Sequence, residues 1–138
     1  MTIDPEISDL QPEIPDYSGK TILVADDLDI NYILIEALLR KTQANLLWAK
    51  DGQQAMEMVI KDCNAIHLIL MDIKMPVMNG LEATLAIRKH CSNIPVIAQT
   101  AFSYIYDREA ALNAGCIDYI EKPVSGFKLL EIINRYIH

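Results

Sequence analysis

The chain has 138 residues, about half of them hydrophobic, and a formal net charge of −7. That length suits one domain with a real core, and no apolar stretch approaches the ~20 residues a membrane-spanning helix needs. Five acids, Asp4, Glu6, Asp9, Glu13 and Asp16, fall in residues 1–18 without a Lys or Arg, so the remainder is near neutral. It has no basic stripe of the kind that neutralises phosphates, which argues against nucleic-acid binding.

The leader also holds Pro5, Pro12 and Pro15 and reads as an acidic, extended linker or tail over 1–19, with the folded domain over 20–138. No basic segment followed by an apolar one marks a secretory signal, so a soluble, cytoplasmic chain without membrane contact is expected. Cys63, Cys91 and Cys116 form no C-x-x-C pair and are expected to be reduced structural thiols. The histidines His67, His90 and His138 are too scattered to hold zinc.

In chain order, a β-branched run at 21–25 predicts the first strand and ends on Asp26-Asp27. The helix predicted over about 29–41 has two apolar stripes, Ile30, Ile33, Leu34, Ala37 and Leu38 on one, Leu28, Tyr32, Ile35 and Leu39 on the other. A helix on one sheet needs only the first, so part of the surplus is expected to meet a partner. Alternation continues with strand 45–49, helix 51–62, strand 68–72, helix 79–90, strand 95–99, helix 104–114, strand 117–121 and helix 125–137. Five such βα pairs predict an α/β three-layer sandwich, a flavodoxin-like (βα)5 fold with a parallel sheet of order 2-1-3-4-5.

The third strand is apolar without alternation, as a central strand covered on both faces should be, and Asp72 ends it. A lone Asp there would be an ordinary loop cap. The sheet order, however, sets it beside Asp26 and Asp27, and three carboxylates that close repel one another unless a cation intervenes. An all-oxygen donor set without His or Cys suits Mg²⁺, with Mn²⁺ able to substitute. Thr100 after the fourth strand and Lys122 after the fifth bring a hydroxyl and an ammonium to the same edge. Such donors can balance the oxygens of a transferred phosphoryl group.

Taken together, Asp26-Asp27, the run Leu70-Met71-Asp72-Ile73-Lys74-Met75-Pro76-Val77-Met78-Asn79-Gly80, Thr100-Ala101, Ala114-Gly115 and Lys122-Pro123 resemble the receiver domain of two-component response regulators. The resemblance covers residues 20 to 138 and implies roles for each motif position. Asp72 would accept a phosphoryl group from phosphohistidine, and Asp26, Asp27, Asp72 and the Lys74 backbone carbonyl would hold Mg²⁺. Lys122 would pair with the phosphoryl oxygens, Thr100 would swing toward them, and Tyr119 would change rotamer with it. The Lys122–Pro123 peptide is expected to be cis.

The same resemblance places the output surface on the fourth helix, fifth strand and fifth helix, with Tyr104, Ile105 and Tyr106 as candidate contacts. It places a histidine kinase or histidine phosphotransfer domain beside the acid pair, against Ile30, Tyr32 and Pro123. Bulky Lys74 and Phe102 are expected to slow self-dephosphorylation. The chain looks most like the C-terminal receiver of a hybrid sensor histidine kinase, as a monomer or weak dimer without an output domain of its own; a stand-alone regulator would look similar. An Asp-nucleophile phosphatase would need an Asp where Lys74 stands. A flavin module would want a Gly- and hydroxyl-rich loop where Asp26-Asp27-Leu28-Asp29 would repel phosphate.

Overall fold

A computed structural model describes residues 14–101 and 105–137, the side chains of residues 105 and 106 excepted. The elements are β1 (Thr21–Ala25), α1 (Asp29–Leu39), β2 (Asn45–Ala49), α2 (Gly52–Lys61), β3 (Leu68–Asp72), α3 (Gly80–His90), β4 (Val96–Thr100), α4 (Ile105–Ala114), β5 (Asp118–Glu121) and α5 (Gly126–Tyr136). All strands are parallel in the order β2-β1-β3-β4-β5, the flavodoxin-like sheet the alternation predicts. β4 begins one residue later than expected, and α1 gives way to a 3₁₀ turn over Arg40–Thr42.

Strand alternation divides the core in two. Leu23, Ala25, Ile69, Met71, Val96 and Ala98 pack with Ala55, Val59, Ala83, Ile87 and Ala111 of α2, α3 and α4. Ile22, Val24, Leu68, Leu70, Ile97 and Ile120 pack with Ile35 and Leu39 of α1 and Leu129, Ile132 and Ile133 of α5. Each fully buried large aliphatic side chain contributes roughly 1.5–3 kcal/mol relative to exposure, so β3, buried along its whole length, anchors the domain. The two-residue period carries the α1–α5 parity onward from Val24 to Asp26, from Leu70 to Asp72 and from Ile120 to Lys122. The sheet's own pleat thus aims these groups to one side of its carboxyl edge.

Three expectations need correction. The sheet takes the second stripe of α1, Ile35 and Leu39, whereas Ile30, Ile33 and Leu34 of the first are exposed. Leu38 and Tyr32 are only partly buried, so the apolar surplus lies on the very stripe that was expected to face inward.

The second concerns the leader. Tyr17 is buried, its hydroxyl donates to Asn134 Oδ1 on α5, and its backbone N–H donates to Thr42 O at 2.7 Å. Tyr17 therefore packs with the α1–α5 core from within the segment expected to be linker, while Ser18 and Gly19 beside it stay exposed.

The third concerns the thiols. Cys63, just past α2, and Cys91, just past α3, form a disulfide with Cα atoms 5.6 Å apart. Only Cys116 is a free, buried thiol among the described residues. Packing of α2 against α3 brings together two cysteines that no local spacing connects.

Candidate functional site

β1 ends the ladder at Ala25, and the next residue, Asp26, is fully buried. Its Oδ1 accepts the Leu28 N–H at 3.0 Å and the Asn31 amide at 3.4 Å. These bonds serve the start of α1, whose N-cap position is Leu28, without a side-chain acceptor of its own. Asp26 is thus a structural cap as well as a candidate ligand. Asp27 is exposed at the rim.

Asp72, at the end of β3, is 6 % exposed, and its Oδ1 accepts the Lys74 N–H at 3.2 Å. The loop behind it, residues 73–79, is held by close backbone approach. A Cβ on Gly80 would lie 2.0 Å from the Asp72 carbonyl oxygen, and one on Gly52 would lie 2.1 Å from that of Met78. Gly80 N–H donates to Ile73 O at 2.9 Å, and Asn79 with Glu82 makes a reciprocal cap on α3. Val77 carries a positive φ of 67° where the loop doubles back.

Lys122 follows β5, and the Lys122–Pro123 peptide is cis as expected. Its ammonium sits between the two buried acids, 2.8 Å from Asp26 Oδ2 and 3.0 Å from Asp72 Oδ2. Burial alone would lower the Lys122 pKa, but the bonds to Asp26 and Asp72 outweigh it and hold the ammonium above its ordinary value. For Asp72 burial is the largest influence and raises its pKa; Lys122 lowers it, and the Asp26 charge adds to the rise. One cation thus leaves Asp72 under-compensated, which fits a site that takes a second.

Carboxylate oxygens of Asp26, Asp27 and Asp72 all lie within 4.8 Å of one another. Their donor chemistry and the partly uncompensated charge at Asp72 fit a hard divalent ion. Thr100 is buried at the end of β4, and an open hollow brings it together with Asp27, Asn31, Asp72, Lys74 and Lys122. Tyr119 lies on the other face of the sheet, half-buried, with the Arg108 guanidinium 4.3 Å from its ring centroid. Ile30 and Pro123 are exposed near the same edge, and Tyr32 is half-buried. Tyr104, Phe102 and the side chains of Ile105 and Tyr106 lie outside the described residues.

Several neighbours were not anticipated from sequence. Gln99 pairs in register with Asp72, and both polar atoms of its buried side chain lack a hydrogen-bond partner among the described residues. Trp48 of β2 donates from its indole to the Asp26 carbonyl at 2.9 Å. A polar residue in the last turn of an apolar strand was a signal for the first; the second had none.

An acid-rimmed carboxyl edge with an opposing lysine, on a five-stranded parallel sheet, defines a receiver-type signalling domain. The response regulator receiver domain profile matches residues 22–134, and the chain belongs to that family. It is 43 % identical over 123 residues to hybrid signal transduction histidine kinase I of Dictyostelium discoideum, covering 84 % of this chain but 7 % of that protein. The receiver domain of sensor histidine kinase PA1611 from Pseudomonas aeruginosa, solved with a magnesium ion in its active-site cleft, superposes with a TM-score of 0.79. It is 36 % identical, with 86 % of this chain and 98 % of that one covered. The receiver domain of Saccharomyces cerevisiae Ssk1, crystallised with the histidine phosphotransfer protein Ypd1, gives a TM-score of 0.80 at 29 % identity, with 91 % of each chain covered. The protein is thus a receiver domain of two-component signalling, similar to those of hybrid sensor kinases.

Proposed function

We propose that the domain receives a phosphoryl group on Asp72 from a phosphohistidine of a histidine kinase or phosphotransfer domain. The single observation that carries this reading is the Lys122 ammonium held between Asp26 and Asp72 beside an exposed third acid. In the transfer, an ionised Asp72 oxygen forms the new bond to phosphorus as the donor's N–P bond breaks, and the imidazole leaves with the bonding pair. Asp26, Asp27, Asp72 and the Lys74 backbone carbonyl would hold Mg²⁺, which supplies charge neutralisation to the phosphoryl oxygens.

Lys122 then exchanges a carboxylate partner for a phosphoryl oxygen, and the Thr100 hydroxyl donates to another. The added charge of about −2 and its acceptor oxygens make that exchange favourable. Thr100 ends β4 and Tyr119 lies on β5 under Arg108 of α4, so their movement would repack α4, β5 and α5 as a shift between pre-existing states. The exposed Ile30, Ile33 and Leu34 of α1, with Tyr32 and Pro123, suit docking of the donor's helices. A cytoplasmic setting, a monomeric or weakly dimeric state and a linker over the first residues belong to the same reading. No helix among the described residues is long and apolar enough to cross a membrane.

Incubation with acetyl phosphate, with and without Mg²⁺, followed by intact mass, tests the acceptor. A labile, Mg²⁺-dependent single phosphoryl adduct on the wild type, absent from Asp72→Ala, is expected; an adduct retained in Asp72→Ala would overturn the assignment. In a second arm, phosphotransfer from a histidine phosphotransfer domain should slow in Ile30→Ala while acetyl phosphate labelling stays unchanged. Equal transfer rates would remove α1 from the docking surface.

A further inference from the structure

The carbonyl oxygen of Asp26 lies just beyond the last β1–β2 pair, Ala25 with Ala49, while its N–H still donates to Ala49 O at 3.0 Å. Past that point the ladder supplies no further donor to the Asp26 carbonyl, and the Trp48 indole N–H takes the place at 2.9 Å. The indole is itself fixed. Its ring stacks on Tyr32 of α1 with centroids 4.6 Å apart and planes within 2°, and the Lys50 ammonium lies 4.7 Å from its centroid.

The bonded carbonyl belongs to the rigid peptide plane that joins Asp26 to Asp27. Holding that plane sets the direction in which Asp27 leaves the backbone, and Asp27, being exposed, has no burial to restrain it. It also keeps Asp26 in place from the β2 side while Leu28 and Asn31 hold it from α1. We infer that Trp48 is a positioning residue for the divalent-cation ligands, acting through its indole N–H on the Asp26–Asp27 peptide. The inference rests on the metal reading above and goes beyond it. Because Tyr32 belongs to both the stack and the proposed docking helix, the same bond links cation binding to that surface.

Mn²⁺ titration followed by the electron paramagnetic resonance signal of the free ion tests this on the whole chain. The wild type is expected to show one saturable site. Trp48→Phe keeps a ring for Tyr32 but loses the N–H, and is expected to bind about threefold to tenfold more weakly, the equivalent of one net hydrogen bond. Trp48 is the only tryptophan in the chain. Biosynthetic replacement by benzothienylalanine therefore exchanges N–H for sulfur at one position with size and stacking kept, and should reproduce the loss even if Trp48→Phe folds poorly. Wild-type Trp48 fluorescence should change over the same Mn²⁺ range. Unchanged affinity in the benzothienylalanine protein, with a normal wild-type site, would overturn the inference and leave the metal reading standing. Absence of any saturable site in the wild type would overturn both.

Discussion

The two loops that carry the acids are held by opposite means. Residues 73–79, behind Asp72, are fixed by steric absence: Gly80 and Gly52 let backbone meet backbone where any Cβ would collide. Asp26 and Asp27, after β1, are fixed by exchangeable side-chain bonds from Asn31 and Trp48 and by the Leu28 N–H. The contrast suits the roles proposed for them. A nucleophile needs one rigid trajectory, whereas ligands of a hydrated cation benefit from bonds that adjust.

The largest expected effect comes from breaking the rigid loop. Gly80→Ala should lower the unfolding free energy by about 2–3 kcal/mol, as overpacking does, and should displace Asp72 enough to slow acetyl phosphate labelling. Denaturant melts and labelling rates check both; a wild-type melt would mean that the loop yields as readily as its counterpart.

Removing the ion that bridges the two loops should come next. In Lys122→Met, Asp26 and Asp72 face each other without the ammonium, so stability near neutral pH should fall by about 1–2 kcal/mol, less than for a fully buried pair. The pH dependence follows from the raised Asp72 pKa. The folded chain holds a proton that the unfolded chain releases above its ordinary value of 3.8. Stability from this group is therefore greatest below that value and is lost as pH rises through the folded pKa. Lys122→Met should extend that loss to higher pH and move the acid limb of Asp72 labelling the same way. The deficit should vanish in strong acid, and added Mg²⁺ should reduce it. The Lys122 contribution itself, with its pKa raised, is present below 10.5 and lost as pH rises through the folded value.

The smallest effect should come from the adjustable loop. Asn31→Ala removes a long bond of 3.4 Å to Asp26 and should cost under about 0.5 kcal/mol, with cation affinity barely changed. A loss as large as that of Gly80→Ala would erase the distinction between the loops.

The sheet was legible because its strands are short apolar runs whose ends coincide with acids, a Thr and a Lys. Hydrophobic period and charge placement are local properties, and β1, β2 and β3 fall where that pattern sets them. The acid trio and Lys122 meet at the expected edge for the same reason. What was illegible depends on contacts far apart in sequence. Tyr17 joins Asn134 across 117 residues, Cys63 meets Cys91 only because α2 packs on α3, and Trp48 serves Asp26 through a side chain no motif specifies. The exposed stripe of α1 was misassigned because two apolar stripes on one helix cannot be ranked without knowing how the helix is rotated on the sheet.

The Cys63–Cys91 bridge has a consequence for the chain as a covalent object. The segment it closes contains all of β3, Asp72 and the loop behind it, so the strand at the centre of the sheet lies inside a ring. A protease that nicks the exposed turn around Val77 would leave both products joined. They would migrate as one band without reductant and part only when the bridge is opened.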